Sequence, residues 1–217
     1  MRIGVTGPDL IFGKGSVYNH TIFTIKLLQN RHTFILFPDP ALFKKFRSNK
    51  EYVMEQIEKL ESIGINVANG FKDLLDQGAK YKDIIEKYSR EYSGTVDLIY
   101  SFEYLDNYII PEDFIFELSR KMKTKFAVSL QGMGDFDLHI SNYIRSTLMF
   151  SKTPKIPLYR FYHYFNRKIL LYKLISSNNL AFIAVINHSY QRNLNLNFPN
   201  IEVMNPGTGP ELEYKIL

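Results

Sequence analysis

Gly13-Lys14-Gly15-Ser16 stand directly before a stretch whose apolar residues recur at helical spacing. Backbone N–H groups and the positive end of a helix dipole would meet there, where an anion such as a phosphate could sit. The mononucleotide form of such a loop has four residues between its glycines and Ser or Thr after the Lys. Here five residues separate Gly7 from Gly13, and Gly15 follows Lys14. The dinucleotide fingerprint needs its glycines right after the strand, whereas Gly13 lies seven residues beyond Thr6 and the third glycine position is Tyr18. Two readings stand: an anion-binding loop of neither standard type, or glycines that merely turn a long loop.

The other side chains that could do chemistry follow apolar runs. Glu103, Asp135 and Asp137 are carboxylates available for acid–base work, and His139 and His188 are imidazoles in similar positions. Gln131 and Gly132 follow one run, Asn187 another, and Asn205 and Gly207 a third. His20 and His32 read as a helix residue and a strand-edge residue, and no metal-ligand spacing appears. With no Cys, thiol catalysis, thiolate zinc sites and iron–sulfur clusters are excluded.

Charge is uneven. Residues 1–137 carry 18 Lys and Arg against 19 Asp and Glu, whereas residues 138–201 carry 8 against none. Such a block attracts anionic lipid, phosphate or nucleic acid. Within it, Arg160, Arg167, Lys168 and Lys173 are set among Phe161, Phe165, Tyr172 and several leucines. That is the composition of a helix lying on an anionic membrane, and equally of a helix packed on a sheet with its charged side in water. No nucleic-acid-binding module is visible, so nucleic acid is not an expected partner.

The elements that must position these residues are read from periodicity. Ile3–Thr6, Thr33–Phe37, Ile65–Ala68, Thr95–Phe102, Lys125–Leu130, Leu180–Ile186 and Ile201–Met204 are apolar runs of strand length. Between them, residues 16–30, 41–63, 71–92, a stretch opening near Pro111, 137–150, 158–175 and 188–195 read as helical, with Asp9–Gly15 as a loop. Strands apolar along their whole length and separated by helices indicate a Rossmann-like, doubly wound parallel sheet with helices on both faces. In such a sheet ligands bind outside the carboxyl ends of the strands, which is where the residues above stand.

With 217 residues, 45% hydrophobic and 23% charged, the chain has the makeup of one globular domain. The start has no apolar core behind a basic segment, and no apolar run approaches the roughly 20 residues needed to span a bilayer. The expected location is cytoplasmic, with the inner membrane face as a site of peripheral attachment.

In order and spacing, MRIGVTG, the loop ending in Gly13-Lys14-Gly15-Ser16, VDLIYSF, KFAVSLQG, LAFIAVINHSYQRNL and NIEVMNPGTG resemble the N-terminal domain of GT-B glycosyltransferases of the GT4 type. The resemblance spans essentially the whole chain. It implies an acceptor-binding domain over 1–205, with 206–217 as the hinge into a C-terminal donor-binding domain that this sequence does not contain. It further implies a nucleotide-sugar donor, UDP- or GDP-linked, used as substrate with no cofactor, and a lipid-linked or polysaccharide acceptor. No transfer is expected without the second domain. Gly13, Gly15 and Ser16 would correspond to the family's glycine loop. The family often has His-Gly where Gln131-Gly132 stand, and Ser where Asn187 stands. A non-enzymatic Rossmann-like domain that binds a membrane or an anionic ligand is the alternative.

Overall fold

The computed structural model describes residues 1–7, 9–12, 16–39, 43–77, 80–101, 114–130, 165, 169, 173–174, 176–185 and 201–203. Seven strands form one sheet: β1 (Arg2–Thr6), β2 (Thr33–Leu36), β3 (Ile65–Val67), β4 (Leu98–Ser101), β5 (Lys125–Leu130), β6 (Leu180–Val185) and β7 (Ile201–Val203). Their order is β3-β2-β1-β4-β5-β6-β7, and every pairing is parallel. The helices are α1 (Asp9–Phe12), α2 (Ser16–Leu28), α3 (Phe43–Ser48), α4 (Lys50–Ser62), α5 (Phe71–Gln77), α6 (Tyr81–Tyr92) and α7 (Phe114–Met122).

This order is doubly wound. From β1 the chain steps outward through β2 to β3, then crosses back to β4 and steps outward the other way. Because crossovers between parallel strands are right-handed, opposite directions place the connecting helices on opposite faces. The packing agrees. On one face Phe126 of β5 meets Phe116 of α7 edge-on at 5.0 Å, and Phe37 beyond β2 meets Tyr88 and Tyr92 of α6 at 5.3 and 5.1 Å. Consecutive residues such as Phe34-Ile35-Leu36 and Phe126-Ala127-Val128 are all buried, which requires cover on both sides of the sheet.

The helices owe their positions to their apolar faces. In α6, Ile84, Ile85, Tyr88 and Tyr92 are buried while Lys82, Asp83, Glu86 and Arg90 face water. Residues 41–63, read from sequence as one helical stretch, divide at Asn49 into α3 and α4. Asp9–Gly15, expected as a loop, contains α1, whose Leu10 and Ile11 are buried. Four residues show no periodicity that a sequence reading could detect.

α7 ends in a Schellman arrangement. Thr124 N–H donates to Ser119 O at 3.0 Å and Lys123 N–H to Arg120 O at 3.3 Å, with Lys123 in the left-handed region at φ 55°. Glycine is the residue suited to that position. Lys123→Gly is therefore expected to stabilise the protein by about 0.5–1 kcal/mol, relief of the left-handed strain outweighing the added freedom of the unfolded chain. Chemical denaturation of the two proteins checks this.

Candidate functional site at the switch point

The direction of winding reverses between β1 and β4, and these strands lie side by side with Thr6 opposite Ser101 in register. The chain leaves β1 at Gly7 toward α1 and α2 on one side and leaves β4 at Ser101 toward α7 on the other. In this architecture the carboxyl edge at such a reversal of winding is the usual place for a ligand.

Hydroxyls line the strand ends there. Thr6, Ser101 and Ser129, in β1, β4 and β5, are 4%, 6% and 0% exposed. Burial pushes the phenol of Tyr100 well above its ordinary value, with the neighbouring Ser129 hydroxyl acting in the opposite sense. The sequence reading passed over Thr6, Ser101 and Ser129 because each belongs to a run read as core. The available signal was a small hydroxyl residue at the carboxyl end of three different strands. By contrast, buried hydroxyls at the amino edge have evident structural work: Ser119 Oγ donates to Thr124 O at 2.6 Å, and Thr124 Oγ1 to Val96 O at 3.2 Å.

Of the residues singled out from sequence, Ser16 is the first residue of α2, and the 13 residues of this helix give it the length for a directed dipole. Lys173 is helical and exposed. Gly13, Lys14, Gly15, Glu103, Gln131, Gly132, Asp135, Asp137, His139, Arg160, Arg167, Lys168, Asn187, His188, Asn205 and Gly207 lie outside the described residues. His20 is in α2 and His32 directly precedes β2, as their sequence context suggested. Among the described residues no group of three or more His, Asp or Glu side chains could hold a metal ion. Nor is any helix among them long and apolar enough to cross a membrane.

An open depression of about 480 Å³ lies at the opposite, amino edge of the sheet, lined by Arg2, Arg31, His32 and Asp97 among others. There Arg2 N–H donates to Asp97 Oδ2 at 2.7 Å and Asp97 N–H to Arg2 O at 2.9 Å, so the carboxylate serves to fix the start of β1 beside β4. The depression is a strand length from the carboxyl edge of β1, roughly 15 Å for a five-residue strand.

The ring cluster beside β2 carries a pH dependence. Tyr88 is wholly buried, and its phenol is raised well above its ordinary value, first by burial and then by Tyr92, Asp39 and Glu91. A raised folded-state value means that the native protein holds this proton more tightly than the unfolded chain. The resulting stability is fully present below about pH 10 and is lost progressively as pH rises toward the folded-state value. Denaturant melts between about pH 8 and about pH 11 should show this decline, and Tyr88→Phe should flatten it.

No protein-family model matches the sequence, and no curated protein matches it. Among solved structures, the chain is similar to one described as the crystal structure of Anabaena Alr3699/HepE in complex with UDP and glucose, at 15% identity and a TM-score of 0.47. The alignment covers 100% of this chain and 50% of the other, so this chain spans half the length of that protein. What stands on this chain's own geometry is a Rossmann-like α/β domain whose winding reverses between β1 and β4.

Proposed function

We propose that the chain is the acceptor-side domain of a GT-B glycosyltransferase of the GT4 type, which transfers a sugar from a UDP- or GDP-linked donor to a lipid-linked or polysaccharide acceptor. The observation that carries this reading is the switch point where the winding reverses between β1 and β4. The glycine loop and VDLIYSF, two of the segments that carry the family resemblance, flank it through the starts of their loops at Gly7 and Ser101.

In this reading the amino end of α2 favours negative charge at the donor phosphates. Glu103, Asp135 and His139 are the candidates to accept the acceptor hydroxyl's proton. The acceptor oxygen forms its bond to the anomeric carbon, the bond from that carbon to the diphosphate oxygen breaks, and the nucleoside diphosphate leaves with the electron pair. In this reading donor binding requires the second domain.

Calorimetric titration of the chain, alone and joined to a downstream donor-binding domain, with UDP- and GDP-sugars and a parallel transfer assay, tests the proposal. Donor binding and transfer by the joined form only is the expected result. Tight donor binding by the short chain, or no transfer by either form, would overturn the division of labour and favour a domain that binds an anionic ligand without catalysis.

A further inference from the structure

The depression at the amino edge of the sheet has a lining that the glycosyl-transfer reading does not use. Three segments meet there: the start of β1, the turn between α2 and β2, and the residue before β4. Backbone hydrogen bonds lace them together. Thr33 N–H donates to Met1 O at 3.0 Å, Asp97 N–H to Arg2 O at 2.9 Å, and the N–H groups of Arg31 and His32 both to Leu28 O at 3.0 Å. Arg2, Arg31, His32 and Asp97 thus stand on backbone that is fixed before any ligand arrives, which lowers the ordering cost of binding.

The charges at this edge select the ligand. Arg2 and Arg31 are exposed, and among the described residues neither guanidinium is in an ion pair. A purely structural task for Arg31 would be to meet the carbonyls at the end of α2. Leu28 O, however, already accepts two backbone N–H groups, and Lys26 stands in the last turn of that helix. Asp97 is the carboxylate of the lining, and its Oδ2 accepts the Arg2 N–H at 2.7 Å, which leaves Oδ1 to accept from a ligand. Two full positive charges against one carboxylate and the roughly half charge of the helix end leave the depression positive. Nδ1 of His32 is buried with no hydrogen-bond partner among the described residues, and such a nitrogen calls for a water or a ligand atom.

A volume of about 480 Å³ has room for more than a single ion. Guanidiniums match phosphate oxygens, whereas a carboxylate and the amides of Gln29 and Asn30 match hydroxyls and repel a second phosphate at the Asp97 end. We infer that this depression binds the phosphate monoester of a small polyol, Arg2 and Arg31 holding the phosphate and Asp97 with the two amides holding hydroxyls. The inference goes beyond the glycosyl-transfer reading and does not depend on it, since the two sites lie at opposite ends of the strands and binding here is measured without donor or acceptor.

Titration of the chain with glycerol 3-phosphate, inorganic phosphate and glycerol, each to about 10 mM and followed by the backbone amide resonances, tests this. Glycerol 3-phosphate should shift the amides of Arg2, residues 29–33 and Asp97, and bind at least about threefold tighter than inorganic phosphate, with glycerol not binding. Arg2→Ala and Arg31→Ala should each weaken binding about tenfold or more, whereas Lys26→Ala, which removes the same charge from the neighbouring helix turn, should leave it unchanged. All three side chains are exposed, and circular dichroism verifies that the variants fold. Absence of shifts at these residues, shifts spread evenly over basic surface residues, or equal weakening by Lys26→Ala and Arg31→Ala would overturn the inference. So would inorganic phosphate binding as tightly as glycerol 3-phosphate, which would assign the depression to the free ion, or glycerol binding as tightly as its phosphate.

Discussion

Phe37→Ala is expected to lower the unfolding free energy by about 3–5 kcal/mol, measured by urea or guanidinium denaturation. Phe37 is fully buried just past the end of β2. Its N–H donates to Val5 O at 2.9 Å, which prolongs the β1–β2 ladder by one bond, and its ring touches Tyr88 and Tyr92 edge-on. Truncation leaves a cavity beneath α6 that neither tyrosine can fill freely. Tyr92 Oη accepts the Asn69 N–H at 2.6 Å, and Tyr88 reaches Pro38 O through a long 3.5 Å hydrogen bond. Against a total stability of about 5–15 kcal/mol, this loss can unfold the domain at 37 °C.

Gly4→Val is expected to have a comparable effect from the opposite cause. A Cβ on Gly4 would stand 2.6 Å from Phe37 Cε2, 3.0 Å from Phe37 Cδ2 and 3.4 Å from Val96 Cγ1. Gly4 is central in β1, paired to Ile35 on one side and Ile99 on the other, so its backbone cannot retreat without disturbing both ladders. Overpacking of this kind costs about 1–3 kcal/mol for the first added carbon, and valine adds two more. Gly4→Ala should thus fall in that range and Gly4→Val beyond it. Combined with Phe37→Leu, Gly4→Ala should cost less than the sum of the single changes, because the smaller side chain vacates the space the new methyl needs. Additive values in that double-mutant cycle would show that Gly4 matters for backbone reasons alone.

The sequence by itself determined the order of the strands, because parallel strands buried on both faces must be apolar throughout; the helical readings over 137–150 and 188–195 lie outside the described residues. KFAVSL is the clearest instance, starting at Lys125 and stopping at Leu130 in both reading and structure. Elsewhere the boundaries moved where long-range partners intervene. Thr95–Phe102 reads as one run, yet β4 begins only at Leu98; just before it Asp97 holds Arg2 through its backbone N–H and its carboxylate. Local preference cannot reveal a partner 95 residues away.

The tertiary structure alone decided which strands are neighbours. Nothing in the residues of β1 states that β2 lies on one side and β4 on the other, and that choice creates the switch point and brings Thr6 beside Ser101. It also decided why position 4 is glycine, through a ring 33 residues further along the chain. The reason is common to both. Periodicity encodes that a face must be buried, whereas the surface that buries it is fixed only when distant segments meet and their shapes exclude every other fit.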